Sequence, residues 1–274
     1  MKAILTVSMV FLIFAGPRAD VLRTFYFSAV DGKGNHVTDL TAADLTVKEG
    51  GKDREISSVR PATAPMQISL LVDDAGTGAF QPSVAQFLQT LVGRAQFSIR
   101  VLTPQPIMVA MLTNDVVALR SAIGRMGPRG RIQVDGDQII SGVTDAAREL
   151  RQLRAARPAI VALSASGETV SSDIADEALN MLRSSGASLS VLYITGIELG
   201  KVLGDGPRQS GGMMQRANGT ASVGPALEKI TENLMNQYVL TYTVPDGVKL
   251  NDKISLSTSR KGVTLIAPSR LADK

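Results

Sequence analysis

The chain has 274 residues with 29 basic and 25 acidic side chains, a formal charge of +4 and a length that fits one large domain or a core with an appendage. Apolar residues make up 44% and charged residues 20%, which excludes a disordered polyelectrolyte; seven Phe, four Tyr and no Trp imply an aliphatic core and argue against base-stacking platforms. With no Cys and one His, His36, the chain has no disulfide, thiol nucleophile, cysteine-ligated metal or multi-histidine site of its own.

Lys2 precedes an apolar run from Ala3 to Ala15, and Gly16, Pro17, Arg18 and Ala19 follow. Charge, length and a small-residue ending predict an export signal over residues 1–19, too short to span a bilayer. Loss of Lys2 and Arg18 leaves 27 basic against 25 acidic groups, so the mature chain is nearly neutral. The expected location is secreted or periplasmic, with no transmembrane segment in the mature chain and no nucleic-acid partner.

In residues 20–60, Arg23 to Val30 predicts a strand, Asp31 to Asn35 a tight turn, and Gly50 with Gly51 a hairpin between two short extended runs. At the other end, in residues 237–274, Tyr238, Leu240, Tyr242 and Val244 alternate on one strand face, Ile254 to Ser259 alternates again, and VTLI adds a further strand. Neither set buries its apolar face alone. The two ends are expected to combine into a small accessory β layer, with the central domain inserted between them.

Residues 64–236 alternate strand and helix. Met66 to Val72 is a continuous aliphatic run, and Val84, Phe87, Leu88 and Leu91 mark a helix whose first turn tolerates Pro82. Strands follow at Gln96–Leu102 and Ile107–Leu112, then a helix carrying Val116, Leu119 and Ile123 that ends at GRMGPRGR. Ile139, Val143, Ala146, Ala147, Leu150 and Leu153 describe the next helical stripe, AIVAL a buried strand, Ile174, Ala178 and Leu182 another helix, and Ala187–Ile194 another strand. A final helix carries Leu227, Ile230 and Leu234. The fold class is α/β, Rossmann-like, with a mostly parallel central sheet covered on both faces.

ISLLVDDAGTG at Ile68 to Gly78 resembles the opening of a von Willebrand factor A domain, in which D-x-S-x-S follows the first strand; Asp73, Ala75 and Thr77 stand at those places here. FYFSAVDGKGNHVTDLTAADLTVKEGGKDREISSV from Phe25 to Val59 and QYVLTYTVP from Gln237 to Pro245 resemble the bacterial secreted group of von Willebrand factor A-related acidobacterial proteins. The resemblance covers most of the chain. It implies export, an appended β layer and a central domain of a class known for binding protein or matrix ligands.

A complete site of that family joins the first loop to a threonine from a second loop and an aspartate from a third, and holds Mg2+ or Ca2+ through oxygen ligands. Here VDGDQII, with Asp137 or Gln138, stands for the second loop, and Ser166 occupies the acidic position of the third in ALSASGETVSS. Asp73 and Thr77 are therefore the candidate metal ligands of a degenerate site, with Asp74, Asp135, Asp137 or Glu168 able to compensate if the loops converge. No cofactor is expected apart from such a cation. The candidate ligand rim is Asp74, Asp135, Asp137, Ser166, Glu168, Arg129 and Arg131, offered to an extracellular or envelope protein or polymer, with self-association also open.

No catalytic residue is predicted. Ser164 and Ser166 lack the Gly-x-Ser-x-Gly frame of a nucleophile elbow, His36 sits in a terminal turn, and no Walker A loop or dinucleotide fingerprint occurs. The leading expectation is a non-enzymatic binding module using loops at the sheet's carboxyl edge. A structural envelope component and a divergent serine hydrolase using Ser166 are the alternatives.

Overall fold

A computed structural model describes residues 20–130 and 137–272; the leader read at 1–19, Arg131 and Asp135 lie outside the described residues. Two six-stranded sheets organise the chain. The first is antiparallel and takes β1 (Val21–Val30), β2 (Leu45–Glu49), β3 (Lys52–Pro61), β10 (Tyr238–Val244), β11 (Ile254–Thr258) and β12 (Thr264–Ile266) in the order β11-β2-β3-β10-β1-β12. Gly50 and Gly51, at φ 56° and 79°, make the β2–β3 hairpin that sets Glu49 opposite Lys52, a backbone path closed to most side chains. β10 inserts between β1 and β3, so its Leu240 and Tyr242 share a core with Phe25, Phe27 and Val47. Each terminal segment buries the other's apolar face.

The second sheet holds β4 (Met66–Asp73), β5 (Ala95–Val101), β6 (Ile107–Thr113), β7 (Pro158–Ser164), β8 (Ser188–Ile194) and β9 (Met214–Ala217) in the order β6-β5-β4-β7-β8-β9. Its pairings are parallel except for β5 with β6. Successive side chains of a strand face opposite ways, so Ile68, Leu70 and Val72 enter one core while Leu71 enters the other. The first core is closed by α1 (Gln81–Leu91), α2 (Val116–Gly124) and α6 (Val223–Met235), the second by α3 (Asp137–Gln152), α4 (Ser172–Ser185) and α5 (Lys201–Ser210). This is a doubly wound α/β sheet.

Several details differ from the sequence reading. α5 and β9 were not foreseen, because KVLGDGPRQS carries two Gly and Pro207 and has the composition of a turn. It folds as a helix because Val202 and Leu203 are fully buried and Glu168 caps its start. Leu153 is 54% exposed and Ile174 51%: α3 ends at Gln152, and α4 turns Ala175, Ala178, Leu179 and Leu182 inward instead. Val116 also faces outward, since α2 buries only Leu119 and Ala122.

Arg157 ties the two sheets together. It lies just before β7, is 5% exposed, and donates to the carbonyls of Ala62, Ala64 and Leu234 and to Gln237 Oε1. Those acceptors sit on both chain crossings between the sheets. The guanidinium also stacks 5.6 Å from the centre of the Tyr26 ring on β1. It has no ion-pair partner among the described residues, so neutral oxygens and an aromatic face stabilise a buried cation in place of a carboxylate. On the far side the C-terminal segment is a strap: Ser269 and Arg270 donate their N–H groups to Gln209 O, Leu271 donates to Asp252 O, and Arg23 donates to Ala272 O.

Replacing Arg157 by Ala strands two buried and two partly buried oxygens, so Arg157→Ala is expected to destabilise by about 3–5 kcal/mol in urea unfolding, with Arg157→Lys recovering part of the loss because three donors remain. A loss under about 1 kcal/mol contradicts the clip.

Candidate functional site at the sheet switch point

Strand order reverses between β4 and β7, and in a doubly wound sheet the loops leaving such a pair diverge to open a crevice. Asp73 ends β4 and Ser164 ends β7, paired in register. The Asp73 side chain is nearly sealed from solvent, at 3% exposure. Its Oδ1 accepts from Ala75 N–H at 3.2 Å, Thr103 Oγ1 at 3.4 Å and Ser166 Oγ at 3.1 Å. Its Oδ2 accepts from Ser164 Oγ at 3.4 Å and Ser166 N–H at 3.1 Å. Loops after β4, β5 and β7 thus close on one carboxylate.

The hydroxyls do double duty. Thr103 Oγ1 also accepts from Gly76 N–H at 3.2 Å, and Ser164 Oγ accepts from Gly167 N–H at 3.1 Å. Gly167 stands at φ 83°, where a Cβ would lie 2.6 Å from Glu198 O, so this loop requires glycine. Ala75 occupies the left-handed region at φ 55°, a conformation L-residues adopt at a cost of roughly 1–2 kcal/mol, held here by its N–H on Asp73.

Asp74 and Glu168 are engaged elsewhere. Asp74, 5% exposed, turns back into its own loop and faces the N–H groups of Gly76, Gly78 and Phe80. Burial raises its pKa, those N–H groups oppose the rise, and the neighbouring Asp73 charge adds to it. Glu168 accepts from the N–H groups of Val202 at 3.0 Å and Leu203 at 2.8 Å, the free donors at the start of α5. Asp137 opens α3 and is exposed. Among the described residues there is no group of three or more His, Asp or Glu placed to hold a metal ion.

Thr77 donates to Asp74 O at 2.8 Å and accepts from Ala79 N–H at 3.2 Å, which makes it a turn-capping residue. Arg129 anchors the neighbouring loop: its N–H donates to Gly76 O at 2.9 Å and its guanidinium to Gln105 O at 3.4 Å. Gln138 donates to Pro104 O at 3.3 Å. The structure therefore brings Asp73 and Ser166 together and keeps Asp74, Asp137 and Glu168 from joining them as a shared acidic shell. A hard divalent cation takes six to eight oxygens for Ca2+ or an octahedron for Mg2+. This cluster offers a single carboxylate whose lone pairs already face five hydrogens, so the residues present do not fit that ion.

Nor do they assemble a hydrolytic centre. Ser166 donates directly to Asp73, while His36 is on the other sheet, bridged to Val30. Thr103 and the packing role of Ser164 were not identified from the sequence. The available signal was positional: each hydroxyl sits at or just past the carboxyl end of a buried strand, β5 or β7.

No family model and no curated protein matches this chain. Among solved structures it is similar to von Willebrand factor A domains. The von Willebrand factor type A structure from Catenulispora acidiphila is 13% identical with a TM-score of 0.48, covering 91% of this chain and 74% of that one. The SpRpn10 VWA domain is 12% identical with a TM-score of 0.44, over 61% of this chain and 95% of that one. The conserved hypothetical protein BatB from Bacteroides thetaiotaomicron is 14% identical with a TM-score of 0.45, over 62% and 98%.

Because the folded-state pKa of Asp74 is raised, its contribution to stability is fully present below the unfolded value of 3.8 and is lost as pH rises through the folded value. Asp74→Asn keeps an oxygen acceptor and removes the buried charge. Its unfolding midpoint should equal or exceed wild type at pH 7, and any gap should narrow as pH falls below 3.8; a variant much less stable at pH 7 contradicts this account.

Proposed function

We propose that this chain is an exported, non-enzymatic binding module that recognises an extracellular or envelope protein or polymer through the loops at the carboxyl edge of its mixed sheet, without a resident cation. One observation carries the reading: the carboxylate at the switch point is already satisfied by five protein donors, and among the described residues no group of three or more acidic or histidine side chains is placed to hold a metal. The rim around it remains open. Thr77, Gln105, Thr195, Glu198 and Asn218 are exposed on loops that follow the carboxyl ends of successive strands, with Arg129 half-buried among them.

Among the described residues such a rim is mainly polar, with charges of both signs at Arg129 and Glu198, and is suited to hydrogen-bonded recognition. Its backbone is fixed from below by Asp73, which limits the ordering cost on binding. The signal-like leader and the near-neutral mature charge support an extracellular or envelope partner.

The test uses protein beginning at Asp20, passed over immobilised envelope and extracellular fractions with and without a chelator. Retention that is indifferent to the chelator and weakened about tenfold by the rim pair Thr77→Lys and Asn218→Lys supports the reading. Retention abolished by the chelator, or no retention on any fraction, sinks it.

A further inference from the structure

On the side away from Asp73, where the amino ends of β7 and β8 face β1, the two sheets enclose a cavity of about 260 Å3. Most of its wall is apolar, with Phe25, Pro158, Leu182, Ala187, Pro268 and Leu271 contributing. Its polar groups are unusual in what they lack. Ser188 is 9% exposed and Gln237 4%, and both line the cavity. Gln237 Oε1 accepts from Arg157 Nε at 3.2 Å and Nη2 at 3.0 Å, which fixes the amide and turns its NH2 group away from the arginine. Neither that NH2 group nor the Ser188 hydroxyl has a hydrogen-bond partner among the described residues.

The other hydroxyls of the wall are spoken for: Ser185 donates to Leu182 O at 2.6 Å and Ser210 to Gly206 O at 2.7 Å. At the edge of the cavity Arg183 and Arg270 both pair with Oδ2 of Asp252, so among the described residues two guanidiniums share one carboxylate. Donors that face a cavity with no protein acceptor are free to bond a ligand, and two guanidiniums beside them favour an acceptor that is negative.

We propose that this cavity is a binding site for a small carboxylate with an apolar body. The carboxylate takes the donors of Gln237, Ser188 and Arg270, and the body lies against the aliphatic wall. The volume is just under the roughly 300 Å3 at which small-molecule sites ordinarily begin, which limits the occupant to a short-chain or single-ring acid. The site is independent of the loop rim, from which it is separated by the length of the mixed sheet.

Hexanoate and hexan-1-ol are the probes, titrated into protein beginning at Asp20 and followed by amide chemical shifts and calorimetry. Hexanoate should bind saturably and move the Ser188 and Gln237 signals, with hexan-1-ol about tenfold weaker or more. Arg270→Gln should weaken hexanoate by a similar factor, and Ser188→Leu, which fills the cavity, should abolish binding. Circular dichroism establishes that each variant is folded, and Arg270→Gln decides the matter if Ser188→Leu is not. No saturable response to hexanoate, equal affinity for the alcohol, or unchanged affinity in folded Arg270→Gln each overturns the proposal in favour of a cavity filled by water alone.

Discussion

A carboxylate removed from water must be met by protons from the protein or by a counter-ion, and Asp73 is met by protons. Two backbone N–H groups and three hydroxyls from loops after β4, β5 and β7 converge on its two oxygens. That one group fixes the paths of the three loops that crown the middle of the mixed sheet. The same geometry has a chemical consequence. Lone pairs occupied by fixed hydrogens are not free to coordinate a cation, and among the described residues no neighbouring acid makes up the deficit, because Asp74 serves its own turn and Glu168 serves the start of α5. Structural use of the carboxylate and metal use of it compete, and the donor set favours the first.

The second sheet bears on the first through contacts at the opposite end. Arg157 holds both chain crossings from within, and the C-terminal strap holds α5 against the antiparallel strands from outside. Between clip and strap lies the cavity lined by Ser188 and Gln237, crossed at its wall by the Tyr26 hydroxyl donating to Ala156 O. The orientation of Gln237 toward that cavity is itself a product of the clip, since Arg157 takes the amide oxygen. Rim and cavity therefore lie at opposite ends of the same strands, each organised by one buried charged side chain.

The sequence made the alternation of strand and helix legible because burial repeats at fixed intervals: Ile68, Leu70 and Leu71 in β4, or Ala146, Ala147 and Leu150 in α3, are apolar and fully or nearly fully buried. Where packing overrode composition, the reading failed. α5 contains Gly204, Gly206 and Pro207 yet is helical, and at Gly206 a Cβ would sit 2.7 Å from the Leu189 side chain, so a small residue there serves close packing. Ile174 sits one position before the buried Ala175 and so faces solvent. Asp73 and Ser166 were legible as a site because a motif marks them. Thr103 was not, since its role depends on β5 lying beside β4, a relation set by topology and not by local pattern. Asp74 and Glu168, read as compensating ligands, turn to backbone N–H groups instead, because proximity in sequence to a loop does not determine which way a carboxylate turns.

Linkage between metal and stability tests the central claim most directly, because an ion bound only by the native state raises the unfolding free energy by an amount set by its concentration and affinity. Urea unfolding of the protein from Asp20 onward, in chelator and then in millimolar Mg2+ or Ca2+ at constant ionic strength, should give superimposable curves if Asp73 is satisfied by its five donors. A midpoint that climbs with cation concentration in the wild type and stays fixed in Asp73→Asn would contradict the account.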